Sequence, residues 1–345
     1  NGTTSSDRTN YFETLPSNQI DVGLFLESDR MRALAITQSN LDNQRATVQE
    51  ERRQSYDNQA YGRTSEALLD LAYDSFAYKH STIGSMADLD AATLQDVSEF
   101  FRIYYAPNNA VLSMVGDFNS GDVLTRIRKF FEDIPRQPDP PAPDVSEPPQ
   151  TAARRKTIED GLAQLTRLDI VFKIPPGNTD DWYALSVAGR ILAGGQASRL
   201  YQLLVREKEV AQSVSAGPAE RRGPSLFSIT VLLRPGKQPE EVEKLVYAEL
   251  EKMKKEPVTR EELEKTRMQA RSANAQQMSS TLARAQRLGQ FAVYYNEPGL
   301  VNTQLSKLTS VNEQRIQKAA SAYLIETGRT VVITAPKATG AGGKD

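Results

Sequence analysis

No cysteine occurs in the 345 residues, so neither disulfides nor thiolate metal sites can form. Only one histidine is present, His80, which excludes a His-rich metal or acid–base site built from this chain alone. No apolar run approaches the roughly 20 residues of a membrane-spanning helix. Positive charge is not in excess: 42 Lys and Arg against 44 Asp and Glu give a net charge of −2, which offers no footprint for nucleic acid. The opening residues, Asn1-Gly2-Thr3-Thr4-Ser5-Ser6, carry no Met, basic cluster or apolar stretch and do not form a signal peptide. They resemble the interior of a protein, so the chain is expected to be a processed or truncated piece. Zero cysteine fits an extracytoplasmic bacterial setting, and the periplasm is favoured over the cytoplasm.

What remains is a globular composition, 39% hydrophobic and a quarter charged, long enough for two domains. Thr9–Thr14 predicts a strand, and Ile20, Leu24, Met31 and Leu34 mark a helix face. Helices are expected over about Ser39–Tyr56 and Ser65–Asp74, and again where Leu94, Val97, Phe101 and Tyr104 recur. The turn Ala106-Pro107-Asn108-Asn109 leads into Ala110–Val115, whose unbroken apolar run predicts a short buried strand. Val123, Ile127, Phe130 and Phe131 line one more helix.

Residues 136–149 (RQPDPPAPDVSEPP) are too rich in proline to join a helix or sheet. Beyond them the pattern restarts. A strand over Leu165–Ile174 and a helix over Asp180–Leu192 come first. Helix Ser198–Glu209, strands near Ser213 and over Leu226–Arg234, and a helix on Val242–Met253 follow. A long helical stretch from Thr259 to about Tyr295, a helix ending at Tyr323 and the strand Thr330–Thr334 complete the pattern. Both halves end alike, with an amphipathic helix, a Tyr, a short turn and an apolar strand: Tyr105 then Val111, and Tyr323 then Val331. The expectation is an α+β protein of two homologous α/β-sandwich domains, 1–135 and 153–336, joined by a linker, 136–152, and followed by a flexible tail, 337–345.

The chemically informative stretch is Leu41–Arg53 (LDNQRATVQEERR). At about 100° per residue, Leu41 and Val48 share a helix face and Glu51 lies within about 80° of Leu41. This predicts Glu51 and Gln44 facing inward and Glu50 facing solvent. An inward carboxylate needs a cation, a donor or a proton. An ion pair with a neighbouring arginine satisfies that need as readily as a metal. Gly194-Gly195 lacks the Lys-Ser/Thr of a phosphate loop and suits a helix stop or hinge. Arg206 suits either a carboxylate or carbonyl ligand, or an ion pair with Glu207 or Glu209.

Several segments carry a resemblance. They are Tyr11 through Leu15-Pro16, Leu26–Met31 (LESDRM), Val48–Arg53 (VQEERR), Ile83-Gly84-Ser85, Tyr105–Asn109 (YAPNN), Val115-Gly116-Asp117, Gly195–Leu200 (GQASRL) and Leu204–Glu207 (LVRE). In this order and spacing they resemble the pitrilysin/insulinase family of zinc metallopeptidases, closest to the two-domain bacterial and mitochondrial-processing type with its LuxS/MPP-like domains. The resemblance implies an H-x-x-E-H helix with two zinc-binding His and a water-activating Glu, and a further Glu downstream as third ligand. Glu51 matches that third ligand, and Gln44 the residue that orients it, where the family usually has Glu. Asn1-Gly2-Thr3-Thr4 matches the strand that pairs with substrate backbone, with Asn1, Gly2 and Thr3 as its substrate contacts, and Arg206 matches a substrate-gripping arginine. The family often has a Tyr shortly after that arginine; Val210-Ala211-Gln212-Ser213 has none.

The H-x-x-E-H segment is absent from the sequence, so no catalytic residue of the implied set is present and the chain alone is expected to be inactive. Zinc is the implied cofactor, at a site that is incomplete here. The implied partners are a peptide substrate, together with the missing N-terminal segment or a second subunit in a homo- or heterodimer; neither nucleic acid nor a membrane span is implied. The implied activity is that of a zinc-dependent endopeptidase working on peptides in a closed chamber. Two alternatives are a non-catalytic partner or scaffold subunit of the same family, and a plain peptide-binding module.

Overall fold

The computed structural model describes residues 1–337; of the expected tail only Lys337 lies among them, and the remainder falls outside the described residues. In chain order the first part forms β1 (Gly2–Thr4), β2 (Thr9–Tyr11), α1 (Ile20–Arg32), α2 (Gln38–Arg52), α3 (Gly62–Ala72), α4 (Phe76–Lys79), α5 (Met86–Ala91), α6 (Leu94–Tyr104) and α7 (Ser120–Phe131). Next come β3 (Arg154–Asp160), β4 (Arg167–Ile174), α8 (Asp180–Ala193), β5 (Ala211–Pro218), β6 (Ser225–Leu233) and α9 (Pro239–Lys255). The chain closes with α10 (Arg260–Met278), α11 (Thr281–Tyr295), α12 (Leu300–Thr309), α13 (Glu313–Tyr323) and β7 (Arg329–Pro336). Helices and strands mix without regular alternation around a mixed sheet, which is the expected α+β class.

The chain packs into two compact units. The first holds Asn1–Arg52, Thr82–Pro143 and Ala275–Asn302. The second holds Arg53–Ser81, Asp144–Asn274 and the described chain from Thr303.

The second unit is organised by a five-stranded sheet in the order β3-β7-β4-β6-β5, in which β3 and β7 run parallel and the other neighbours antiparallel. Alternation along β4 sends Leu168, Ile170, Phe172 and Ile174 to one face, where residues of α8, α9 and α13 complete the main core. Each fully buried side chain of this kind contributes about 1.5–3 kcal/mol. Val171 points to the other face and packs with Ala72 and Tyr73 at the end of α3. On that face the hydroxyls of Thr64 and Thr334 are 2.7 Å apart and buried.

Local chemistry sets the helix ends of this unit. The Thr179 hydroxyl accepts from the Trp182 N–H, and Asp180 and Asp181 sit in the positive first turn of α8. The helix stops at Gly194, and Gly195 follows at φ +106°, a conformation that favours glycine. The glycine pair is a helix stop. Gly189, inside α8, has another role: a Cβ there would lie 2.8 Å from Gly217 Cα on β5, so helix and strand approach too closely for any side chain.

The proline-rich stretch forms no helix or strand, as its composition requires. From Asp144 onward it is nevertheless pinned to the second unit. Val145 packs against the cluster of Ala72, Tyr73 and Tyr78. The Glu147 carboxylate accepts from the backbone N–H groups of Asp74 and Ser75 at 2.8 and 3.0 Å and from Lys173 at 2.5 Å. Burial alone pushes the Glu147 carboxyl up, but these donors outweigh it and hold the group below its ordinary range.

The first unit contains a two-stranded sheet, β1 against β2, together with α1, α2, α5, α6, α7 and α11. Its helices are well capped: Thr93 and Asp96 form a reciprocal capping box on α6, and Asn119 accepts from the N–H groups of Gly121 and Asp122 on α7.

Several elements depart from the sequence expectation. Ala110–Val115 forms no ladder with any described residue. Its composition suits a strand, but a strand needs neighbours, and the sheet of this unit is only two strands wide. The expected long helix from Thr259 is divided at Ser279-Ser280, because the Ser280 hydroxyl accepts from the Ala283 N–H and starts a new helix. The strand expected over Thr9–Thr14 stops at Tyr11. β3 escaped the sequence reading: in RRKTIED only Ile158 is a large apolar residue, as suits an edge strand paired on one side.

Candidate functional site

The sequence-predicted ligand and substrate residues fall on three elements, two of them, β1 and α2, in the first unit and the third, a helical turn around Arg206, in the second. α2 is tied down by polar bonds. Arg45 donates to the carbonyls of Leu89 and Ala92 at 2.9 and 2.6 Å, Gln49 donates to Asp90 at 2.7 Å, and Arg52 donates to the Gly84 carbonyl at 2.5 Å. Positions 45, 49 and 52 share one helix face, and that face is turned to α5. Leu41, Gln44, Val48 and Glu51 form the neighbouring stripe, about 100° round the helix. Leu41 and Val48 on it are half-buried, whereas Gln44 and Glu51 are exposed.

The expectation that Gln44 and Glu51 face inward is therefore corrected. α2 buries no residue, because three polar side chains anchor it in place of an apolar stripe. Two apolar positions, 41 and 48, were too few to fix the inward direction. No ion pair among the described residues engages Glu51. Immediately beyond it the helix widens into a π-helical turn, Arg53–Asp57, closed by the Asn58 N–H donating to the Arg53 carbonyl at 2.8 Å.

The register of β1 decides which main-chain groups face outward. Asn1 and Phe12 exchange bonds: the Asn1 amino group donates to the Phe12 carbonyl at 3.1 Å and the Phe12 N–H to Asn1 at 2.9 Å. Farther along, the Ser5 N–H donates to the Arg8 carbonyl at 2.9 Å. Bonded pairs alternate along an antiparallel ladder, so Asn1, Thr3 and Ser5 turn their backbone groups to β2. Gly2 and Thr4 present theirs to the outer edge. There the Gly2 N–H already donates to its neighbour, Asn1 Oδ1, at 2.7 Å. Of the three residues expected to pair with a peptide, Asn1 and Thr3 are thus committed to β2 and only the Gly2 carbonyl is open. Thr4, on the same expected strand, turns its backbone outward with Gly2, and the four-residue turn Ser5-Ser6-Asp7-Arg8 fixes that register.

Arg206 lies in the second unit, exposed, in a π-helical turn over Tyr201–Glu207. Its guanidinium sits 5.8 Å from the Tyr201 ring centroid. That pairing follows from the wide turn, which brings residues five apart onto one side. The expected ion pairs with Glu207 or Glu209 are absent among the described residues; Glu209 meets Arg234 instead, at 3.6 Å.

His80 is exposed, stacked on Phe76 with centroids 4.5 Å apart, and its Nδ1 is 3.0 Å from the Ser81 carbonyl. It makes a surface contact. Among the described residues no group of three or more His, Cys, Asp or Glu side chains is placed to hold a metal ion.

Residues 91–270 match the family description "Peptidase M16 inactive domain". The chain belongs to the M16 peptidase family. This is the pitrilysin/insulinase resemblance that the ordered motifs carried. Among curated relatives, a Helicobacter pylori protein named zinc protease PqqE is 28% identical over 97% of this chain and 76% of its own length. Among solved structures, a protease from Helicobacter pylori superposes with a TM-score of 0.91 at 26% identity, covering 97% of this chain and 82% of that one. An M16 inactive domain from Pseudomonas fluorescens shares the fold, with a TM-score of 0.79 at 18% identity over 93% of this chain and 76% of that one.

The M16 assignment raises the question of zinc, and the residues present do not fit it. One exposed carboxylate on α2 cannot hold the ion, and the single imidazole is engaged elsewhere. No helix of the described chain is long and apolar enough to cross a membrane.

Proposed function

We propose that this chain is the larger part of an M16 zinc endopeptidase subunit and that Glu51 is the one metal ligand it contributes to the complete enzyme. The observation that carries the reading is the state of Glu51. It stands exposed at the end of a helix fixed by three polar anchors, beside a π-helical turn, with no arginine taking its charge. A carboxylate held this way is available to a cation brought by another segment. The histidines belong to an H-x-x-E-H segment outside this sequence, and without it the chain does not hydrolyse peptides. Gln44, about two helical turns before Glu51, orients the ligand by hydrogen bonding in place of the family's Glu.

The same reading assigns a peptide substrate, an edge-strand grip through Gly2 and Thr4 in place of Asn1 and Thr3, and a carboxylate or carbonyl contact for Arg206 in a chamber closed by a second subunit. It keeps two related lobes, 1–135 and 153–336, joined at 136–152, and a periplasmic setting. The test uses the intact gene product. Wild type cleaves an unstructured peptide and Glu51→Gln abolishes cleavage while the protein stays folded; cleavage retained by the variant refutes the assignment.

A second reading is favoured by two observations: the inactive-domain match over 91–270 and the Gln at position 44. On that reading the chain is a non-catalytic partner that completes the chamber of another M16 subunit. An intact gene product without H-x-x-E-H, inert alone but raising the activity of a second subunit, establishes it.

A further inference from the structure

The Gly2 N–H on β1 points away from β2, so no ladder bond takes it. An unpaired edge donor is satisfied by whatever acceptor lies in reach. Here that acceptor is the Asn1 side chain: the Gly2 N–H donates to Asn1 Oδ1 at 2.7 Å. The Asn1 carbonyl accepts from the Phe12 N–H at 2.9 Å, which holds the main chain of Asn1 on β2 while its side chain turns back along β1.

This contact brings a main-chain nitrogen up to the side-chain amide of the residue before it. A bond from Gly2 N to Asn1 Cγ would close a small ring through the Asn1 C, Cα and Cβ atoms. Holding attacker and target together in this way removes most of the entropic cost of the attack. Glycine hinders it least, because no Cβ stands beside the nitrogen. Asn1-Gly2 is the only Asn-Gly pair in the sequence, and both residues are exposed to water. Asn119, followed by the small Ser120, is held otherwise. Its Oδ1 accepts from the N–H groups of Gly121 and Asp122 at 2.9 and 3.2 Å, beyond its neighbour, as the cap of α7.

We propose that Asn1-Gly2 is a site of spontaneous, backbone-assisted deamidation, set up by the outward-facing edge of β1. The Gly2 nitrogen gives its proton to solvent hydroxide and bonds to Asn1 Cγ. The Cγ–Nδ2 bond breaks, and the side-chain nitrogen leaves as ammonia with a proton from water. Water then adds to one carbonyl of the cyclic imide and reopens the ring. Opening on one side leaves an aspartate at position 1. Opening on the other leaves an isoaspartate, whose main chain is longer by one methylene. Nothing is oxidised or reduced; water is consumed and ammonia released. Both products alter the edge. The aspartate carboxylate holds the Gly2 N–H by a charge-assisted bond. The extra methylene displaces Gly2 from Tyr11, its partner on β2. The consequence for peptide binding rests on the edge-grip reading, whereas the modification does not. A peptide paired on β1 would draw the Gly2 N–H away from Asn1 Oδ1, so an occupied edge is protected and an idle one ages.

The test follows the intact protein, folded, in mildly alkaline and mildly acidic buffer. Peptide mapping by mass spectrometry separates asparagine, aspartate and isoaspartate at each position. Asn1 is expected to convert at least about tenfold faster than Asn119, because only Asn1 has its attacking nitrogen in place. Conversion should speed up with pH, since the nitrogen must first lose its proton. Gly2→Ala should slow it; an added Cβ would meet the Tyr11 ring at 3.4 and 3.5 Å, ordinary contact that β1 tolerates. Conversion at Asn1 no faster than at Asn119 overturns the proposal, as does an unchanged rate in Gly2→Ala. Conversion more than about tenfold faster in the urea-unfolded chain than in the folded one also overturns it, because the strand would then suppress the attack. A saturating, uncleavable unstructured peptide should slow conversion, and converted protein should show a raised KM with kcat kept. Conversion at the expected rate with no protection by peptide and no change in KM refutes the edge grip and leaves the modification standing.

Discussion

In the second unit each inner strand of the sheet has two neighbours, both faces are covered, and side chains such as Phe172, Leu185 and Phe227 are essentially inaccessible. In the first unit the ladder is two strands wide, and the described apolar residues that are buried reduce to Leu24, Ala106, Val123, Ile134, Phe291 and Leu300. The carboxylates tell the same story. Glu147, in the second unit, is buried among three donors and held below its ordinary range. Glu27, in the first, is raised, first by burial and then by the nearby Glu13, and the Arg30 paired with it does not cancel the effect. One sequence therefore contains a unit closed around a large apolar core and a unit with few buried apolar residues. The residue expected to carry chemistry, Glu51, sits in the second of these.

The sharpest way to break this contrast is a matched pair of truncations. Phe227→Ala in the second unit should cost about 3–5 kcal/mol in denaturant unfolding, whereas Phe25→Ala in the first, already half exposed, should cost under about 1 kcal/mol. Equal costs would mean that the first unit is packed after all. Next in size, Glu147→Gln should cost about 2–3 kcal/mol, since it leaves Lys173, 13% exposed, without its main counter-charge. Thermal unfolding of the single variant measures this.

The pH response refines the comparison. The Glu147 value is depressed on folding, so its contribution is fully present above the unfolded carboxylate value of about 4.3 and is lost as pH falls through the lower folded value. Glu27 works in the opposite sense. Its folded value is raised, so the fold loses stability as pH climbs from the ordinary carboxylate value through the raised one. Unfolding midpoints followed from pH 3 to 7 should show the acid-side loss shrink in Glu147→Gln. Glu27→Gln should show a smaller change, a flatter slope just above the ordinary carboxylate value. Parallel profiles for wild type and both variants would contradict these assignments.

Much of the fold was legible in the sequence because periodicity and punctuation agreed. α8 follows Thr179-Asp180-Asp181 and stops at the glycine pair, and β7 carries the unbroken TVVIT run. The M16 family was legible because many weak motifs stood in a fixed order. What escaped had physical causes. β3 is an edge strand with almost no apolar signal. Ser280 divides a helix through one hydroxyl bond that composition does not display. Ala110–Val115 has the right residues for a strand but no described neighbours. In the candidate site, the inward direction expected of Glu51 was lost because Arg45, Gln49 and Arg52 anchor the helix from a different face. Along β1 the residue types carried no register, so Asn1, Gly2 and Thr3 were taken together although only Gly2 of the three turns its backbone to the outer edge.

Metal content bears most directly on the functional claim. Residues 1–345 alone, dialysed against micromolar zinc, should retain none, and the intact protein should retain one ion per chain. Glu51→Gln in the intact protein should lose that ion while keeping its secondary structure. Zinc held stoichiometrically by the chain alone, or by the intact Glu51→Gln protein, would contradict the assignment of Glu51 as the single ligand this chain supplies.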